Sequence, residues 1–256
     1  MSTDSPSAKE ILLQSTAQEL GTEALETVVE PNIVDSAIDA VKGLPSAPVC
    51  ITQESTPQNL ANDPAAIMVG LESIIPRWTP GSVIKWSAWR MGYDSQEDAD
   101  YAALHLALAA SVWNEADVGV RFEFVPLAKD ANFVICHGGY KGDVLASAYF
   151  PNQKDLNFVY VYTRALQPDW KASLSQVLVH ELGHVLGLRH EFAMDPRRLE
   201  GPKAVQIGEA NPLSVMNYRR EPPELQPSDI AATKAFYQMS VGTVLASTPI
   251  VDFVPQ

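Results

Sequence analysis

The chain has 256 residues, of which 46% are hydrophobic, enough for one large domain, or a catalytic domain with an extension, around a sizeable core. Its net charge of −13 argues against nucleic acid and anionic membranes as partners, because both call for a positive surface. No apolar run approaches the ~20 residues that span a bilayer, and the opening MSTDSPSAKE has no basic region followed by an apolar core, so neither a membrane anchor nor a signal peptide is expected.

In chain order, Ser7-Ala8-Lys9-Glu10 has the form of a capping box. Leu13, Ala17, Leu20, Ala24 and Val28 then recur at helical spacing, up to a stop at Pro31. A second short helix is expected over residues 33–41, ending at Gly43. Residues 44–64, rich in Pro, Ser, Thr, Asn and Gln, read as a loop or linker. Trp78-Thr79-Pro80-Gly81 is a turn, and residues 82–89 read as a strand. A helix follows Ser95, with Glu97 and Asp98 in its first turn, where the dipole favours them. Tyr101, Leu104, Leu108 and Val112 are expected to form its apolar face, and His105 on the same helix is assigned no role. Residues 118–125 alternate with period two, as a half-buried strand does, and 132–136 read as another strand. A glycine-rich loop spans 137–143, and 157–163 is rich in β-branched and aromatic residues, which suits an inner strand. Residues 229–239, opened by Pro227-Ser228, read as a closing helix. The apolar tail from Val241 is given no function.

The chemistry concentrates in residues 180–191, HELGHVLGLRHE, on a helix capped at Ser173 or Ser175. His180 and His184 are four apart and so share one helix face. Neutral imidazoles so placed can each hold a zinc ion at ~2.0 Å. Glu181 lies near the same edge, where a carboxylate can take a proton from water without ligating the metal. A helix running straight on would not aim His190 at the same point. Gly187, in a left-handed conformation, can end the helix and swing the chain back. The stretch therefore offers three metal ligands, one base and the bend that makes them converge.

This HExxHxxGxxH pattern resembles the long signature of the metzincin zinc metalloproteases. Ser214-Val215-Met216-Asn217-Tyr218 resembles their Met-turn. The resemblance implies an α+β fold of the metzincin type. Its upper subdomain would hold a twisted, mostly parallel sheet with two helices. An irregular lower subdomain would carry the Met-turn and a C-terminal helix, with the cleft between the two. Residues 78–240 would be this catalytic domain, 1–77 an N-terminal extension and 241–256 a C-terminal tail. It further implies a zinc cofactor held by His180, His184 and His190, Glu181 as general base, and a protein or peptide substrate. Met216 would pack below the metal as a hydrophobic floor. Tyr218, two residues on, matches the spacing of the astacin tyrosine that serves as fifth ligand or transition-state stabiliser, or else is a plain wall residue. Glu191 resembles the astacin glutamate that supports the lower subdomain without ligating the metal.

Residues 145–151 resemble the edge strand of matrix metalloproteinases, which pairs with extended substrate, or are an ordinary edge strand closed by Pro151. Matrix metalloproteinases keep a structural zinc near the counterpart of the 137–143 loop. That site needs several histidines, and with five in the chain and three in the motif no such second zinc is expected. The extension reads as a cleft-blocking pro-segment or as a partly ordered arm. Its Ala47-Pro48-Val49-Cys50-Ile51 does not match the cysteine-switch motif. The two cysteines, Cys50 and Cys136, are too few for the astacin disulfides, and the calcium repeats of serralysins are missing. The chain thus sits as an astacin-like or matrix-metalloproteinase-like metzincin, with an extracellular site suggested by the resemblance alone. The competing function is a zinc-binding interaction module without turnover, against which the intact Glu181 stands.

Overall fold

The computed structural model describes residues 6–20, 22, 49–50, 67–71, 73–90, 92–194, 204–209, 211–218 and 222–256. The helix expected over residues 33–41 and most of the 44–64 segment lie outside these. Four parallel strands form the body of the main sheet: β4 (Val83–Ala88), β5 (Arg121–Phe124), β6 (Phe133–His137) and β8 (Asn157–Val161). Antiparallel β7 (Val144–Ser147) pairs with β8, and β1 (Val49–Cys50) adds in parallel outside β7. The order is β1-β7-β8-β6-β4-β5, a mostly parallel sheet as expected. Residues 49–50 are thus a strand within the stretch read as linker.

One face of this sheet is covered by α2 (Gln96–Ala116) and α3 (Leu174–Val185), with Ile84, Trp86, Phe133, Ile135 and Val159 in the shared core. Ser95 caps α2 by accepting from Asp98 N at 3.1 Å. The buried face of α2 is not the one expected from Tyr101, Leu104, Leu108 and Val112. It is Ala99, Ala102, Ala103, Leu106, Ala109, Ala110 and Trp113, while Val112 is exposed. The reason is steric. Alanines let α3 approach closely, which the larger side chains of the other face would prevent. Trp113 fills the remaining depth and donates its indole N–H to Val179 O of α3 at 2.8 Å.

The other face of the sheet receives α1 (Ala8–Leu20), from the N-terminal extension. Its capping box is present: Ser7 N donates to Glu10 Oε2 at 2.8 Å and Glu10 N to Ser7 Oγ at 3.2 Å. Leu12 and Leu13 pack with Trp89 and Phe158 against Val134 and Leu156, and Lys9 N donates to Asp155 Oδ2 at 3.0 Å.

The chain on both sides of the expected domain limits is tied to the region around the end of α3. β2 (Ile67–Val69) pairs antiparallel with β9 (Leu188–Arg189) and with β10 (Val205–Ile207). β3 (Ile75–Trp78) pairs in parallel with β12 (Thr248–Phe253), which turns back on β11 (Val244–Leu245). The tail thus closes a second small sheet and leans on α4 (Pro227–Gln238). The fastening is Arg77, 1% exposed, whose guanidinium lies over the rings of both Phe236 and Tyr237. It donates to Phe236 O at 2.5 Å and Met239 O at 3.0 Å and pairs with Asp252 at 2.8 Å. A buried guanidinium needs that carboxylate, since removing one member of such a pair strands the other. Asp252→Ala is therefore expected to cost about 2–3 kcal/mol, read as a lowered urea midpoint, with Asp252→Asn losing less.

Candidate metal centre

His180 and His184 stand on α3 one turn apart, and both are buried, at 4% and 0% exposure. Each ring spends one nitrogen on a main-chain carbonyl. His180 Nδ1 donates to Val215 O and His184 Nδ1 to Leu188 O, both at 2.7 Å. A carbonyl can only accept, so the hydrogen sits on Nδ1 and Nε2 of the neutral ring keeps its lone pair. Burial holds His180 neutral, pushing its pKa down to about 3, and depresses His184 well below the usual histidine range. Both rings are thus in the form a metal requires.

Gly187 ends the helix with φ +93°, the left-handed turn foreseen from the sequence. Its bare Cα faces the main chain of β3: a Cβ there would meet Pro76 O at 2.5 Å. The two residues of β9 follow, and then His190, 1% exposed. Its Nε2 lies 3.1 Å from His180 Nε2, which is itself 3.2 Å from His184 Nε2. A tetrahedral ion with donors at ~2.0–2.1 Å sets neighbouring donors about 3.3–3.4 Å apart. Two lone pairs directed at one point with no proton between them also call for a cation. The residues present therefore fit a metal ion, and they form the one such His/Cys/Asp/Glu group among the described residues.

Around this point lie the other residues singled out from the sequence. Glu181, one step after His180 on α3, is fully buried. Met216 is fully buried under the helix, where a Cβ on Gly183 would meet its sulfur at 2.5 Å. Tyr218 packs its ring 4.5 Å from that of His190 and 5.9 Å from that of His180. Glu191 takes Asn217 Nδ2–H at 2.6 Å, and its main-chain N–H reaches Met216 O at 3.2 Å, so it ties the chain after His190 to the Met-turn. Burial raises the Glu191 pKa to about 7, against the pull of the Asn217 hydrogen bond. His105 stacks beside Tyr101 and His137 hydrogen-bonds Gly92 O at 2.5 Å, both apart from this group. Ser173 precedes α3 but makes no side-chain cap bond.

Sequence reasoning missed Asp229. Its carboxylate accepts from Val215 N at 2.8 Å and Gln226 N at 2.9 Å, and so holds the residue whose carbonyl orients His180. An acid three residues into a helix reads only as a capping group. It missed Trp78 and Tyr237 too, which donate to Val185 O at 2.7 Å and Leu186 O at 3.0 Å. These bonds satisfy carbonyls that the end of α3 would otherwise leave unpaired.

The same region carries the similarity to known proteins. Residues 93–196 match the family model described as Matrixin, and residues 168–243 match one described as Met-zincin. With the mostly parallel sheet and the converging histidines, this decides the architecture. The fold is that of a metzincin. Human Stromelysin-3 is 33% identical over 111 residues, 42% of this chain, and the chain spans about a fifth of that protein's length. These matches support the matrix-metalloproteinase-like side of the expected resemblance and, with it, a zinc-binding metzincin. No helix among the described residues is long and apolar enough to cross a membrane.

Gly187→Ala combines a left-handed backbone with a clash against main-chain oxygen that cannot swing aside. The expected cost is about 3 kcal/mol, seen as a lowered melting temperature and, since His190 is displaced, as weaker zinc binding in a chelator competition.

Proposed function

We propose that this protein is a zinc-dependent endopeptidase, with His180, His184 and His190 as the metal ligands and Glu181 as the general base. The observation that carries the reading is the approach of three buried imidazole Nε2 atoms to within 3.1 and 3.2 Å on a helix that also bears Glu181. Three protein ligands leave a fourth position open, and a bound zinc ion supplies Lewis-acid polarisation of the scissile carbonyl and lowers the pKa of water toward ~7. Glu181 takes a proton from the attacking water and returns it to the leaving amine. The burial of its carboxylate excludes bulk water as a competing acid or base. Tyr218, whose ring lies beside those of His180 and His190, would present its hydroxyl to the oxygen on which charge develops, or serve as a further ligand.

The substrate is a protein or peptide chain, bound extended against β7. Strand addition there would use the side of β7 that faces away from β8. In this structure β1, from the N-terminal extension, occupies that side. This supports the reading of the extension as a pro-segment that competes with substrate for the edge.

Glu181→Gln is expected to keep stoichiometric zinc and lose roughly 10³-fold in turnover of a peptide library. Full activity in that variant would rule out the assigned base, and a metal-free protein would rule out the ligands. Deleting residues 1–66, which leaves β2 and β3 in place, is expected to raise turnover. An arm that binds a separate partner would leave it unchanged.

A further inference from the structure

His180 and His184 are each oriented by a carbonyl, at Val215 and Leu188. His190 has a ring against its face as well. The short turn Glu191–Met194, closed by Ala193 N to His190 O at 3.0 Å, folds Phe192 back over the histidine that precedes Glu191. The two rings lie flat on one another, with centroids 4.9 Å apart and planes at 5°. Phe192 also meets Tyr218 at 4.9 Å and 56°, and Tyr218 meets His190 at 4.5 Å and 61°. Three rings thus close a triangle, each side within the 4.5–7 Å range of attractive aromatic pairs. Glu191 between them points to Asn217, so the two residues after His190 brace it from separate directions.

We propose that Phe192 is a positioning residue for the metal centre: its ring fixes the plane of the His190 imidazole and holds Tyr218 against it. The inference rests on the metal reading above. A ligand ring free to tilt about χ2 must give up that freedom when it binds metal, and a flat neighbour removes the motion beforehand. The same ring backs Tyr218, so that losing it would release both groups together. Nothing in the HExxHxxGxxH pattern specifies residue 192.

The test compares the full chain with Phe192→Ala, Phe192→Leu and Phe192→Tyr. Three readouts are used: zinc affinity by chelator competition, the absorption spectrum of the cobalt(II)-loaded protein, and the melting temperature of the metal-free protein. Phe192→Tyr keeps a flat ring and is expected to match the wild type in affinity and spectrum. Phe192→Leu keeps most of the volume without the plane. It is expected to bind zinc about tenfold more weakly, with an altered cobalt spectrum and a metal-free melting temperature close to wild type. Phe192→Ala should extend the same loss. Should Phe192→Ala fail to fold, the leucine and tyrosine variants decide between them. Equal zinc affinity and equal spectra in the leucine and tyrosine variants would overturn the proposal and leave Phe192 a packing residue. A wild-type protein that binds no zinc would instead overturn the metal reading itself.

Discussion

Two hydrogen bonds, from His180 Nδ1 to Val215 O and from His184 Nδ1 to Leu188 O, carry the rest of the architecture. Burying an imidazole costs free energy unless its N–H finds an acceptor. Each acceptor here is main chain, so its position is set by what holds the backbone. Val215 is held by the Asp229 carboxylate at the start of α4. Leu188 is held by pairing with Val69 in β2, and next to it Arg189 donates to Gly70 O at 3.1 Å. The nitrogens left facing inward owe their direction to strands and a helix distant in sequence, and the depressed histidine pKa values express the same desolvation.

The ends of the chain therefore belong to the site's support. Trp78 closes the C-terminal carbonyls of α3 from one side and Tyr237 from another. Between them Pro76 presses on Gly187, where the helix stops. β3, which carries Pro76 and Trp78, is secured by the register of β12 and by the Arg77–Asp252 pair. The segment that precedes α3 by about a hundred residues and the last strand of the chain thus meet beneath the turn that delivers His190. Such a double brace suits a site whose donors must stay within a few tenths of an ångström of a shared point.

How far the sequence could be read follows from this geometry. The histidine pair and Gly187 were legible because their relation is local. Four residues make a helical turn, and a left-handed glycine ends one. The parallel strands were legible because runs of β-branched and aromatic residues mark strands buried on both faces. The buried face of α2 was misread because the choice between an alanine stripe and the larger residues beside it depends on how closely α3 approaches. The limits near 78 and 240 were those that the resemblance implies. But β2, β3 and β9 are two to four residues long, too short to show a period, and their partners lie far along the chain. Asp229 was hidden for a similar reason, since its second bond, to Val215, crosses between segments.

The depth of the site bears on how it could work. His180, Glu181, His184 and His190 are all at most 4% exposed, and Phe150, Phe192 and Tyr218 set aromatic rings against the three imidazoles. Charges that develop in such a setting interact more strongly than they would in water, which favours a preorganised carboxylate and metal over solvent. The elements around the site differ in how readily they could give way. α3 is the least able to do so, being buried along nearly its whole length and bonded through Trp113, Trp78 and Tyr237. The shortest strands among the described residues are the two-residue β1 at the sheet edge, β9 below the helix and β11, which pairs with β12 away from the histidines. β9 carries the turn to His190 and cannot leave without separating the three histidines. At the edge of the main sheet, β1 is joined to β7 by two residues alone, and of these strands bordering the main sheet it is the most weakly held.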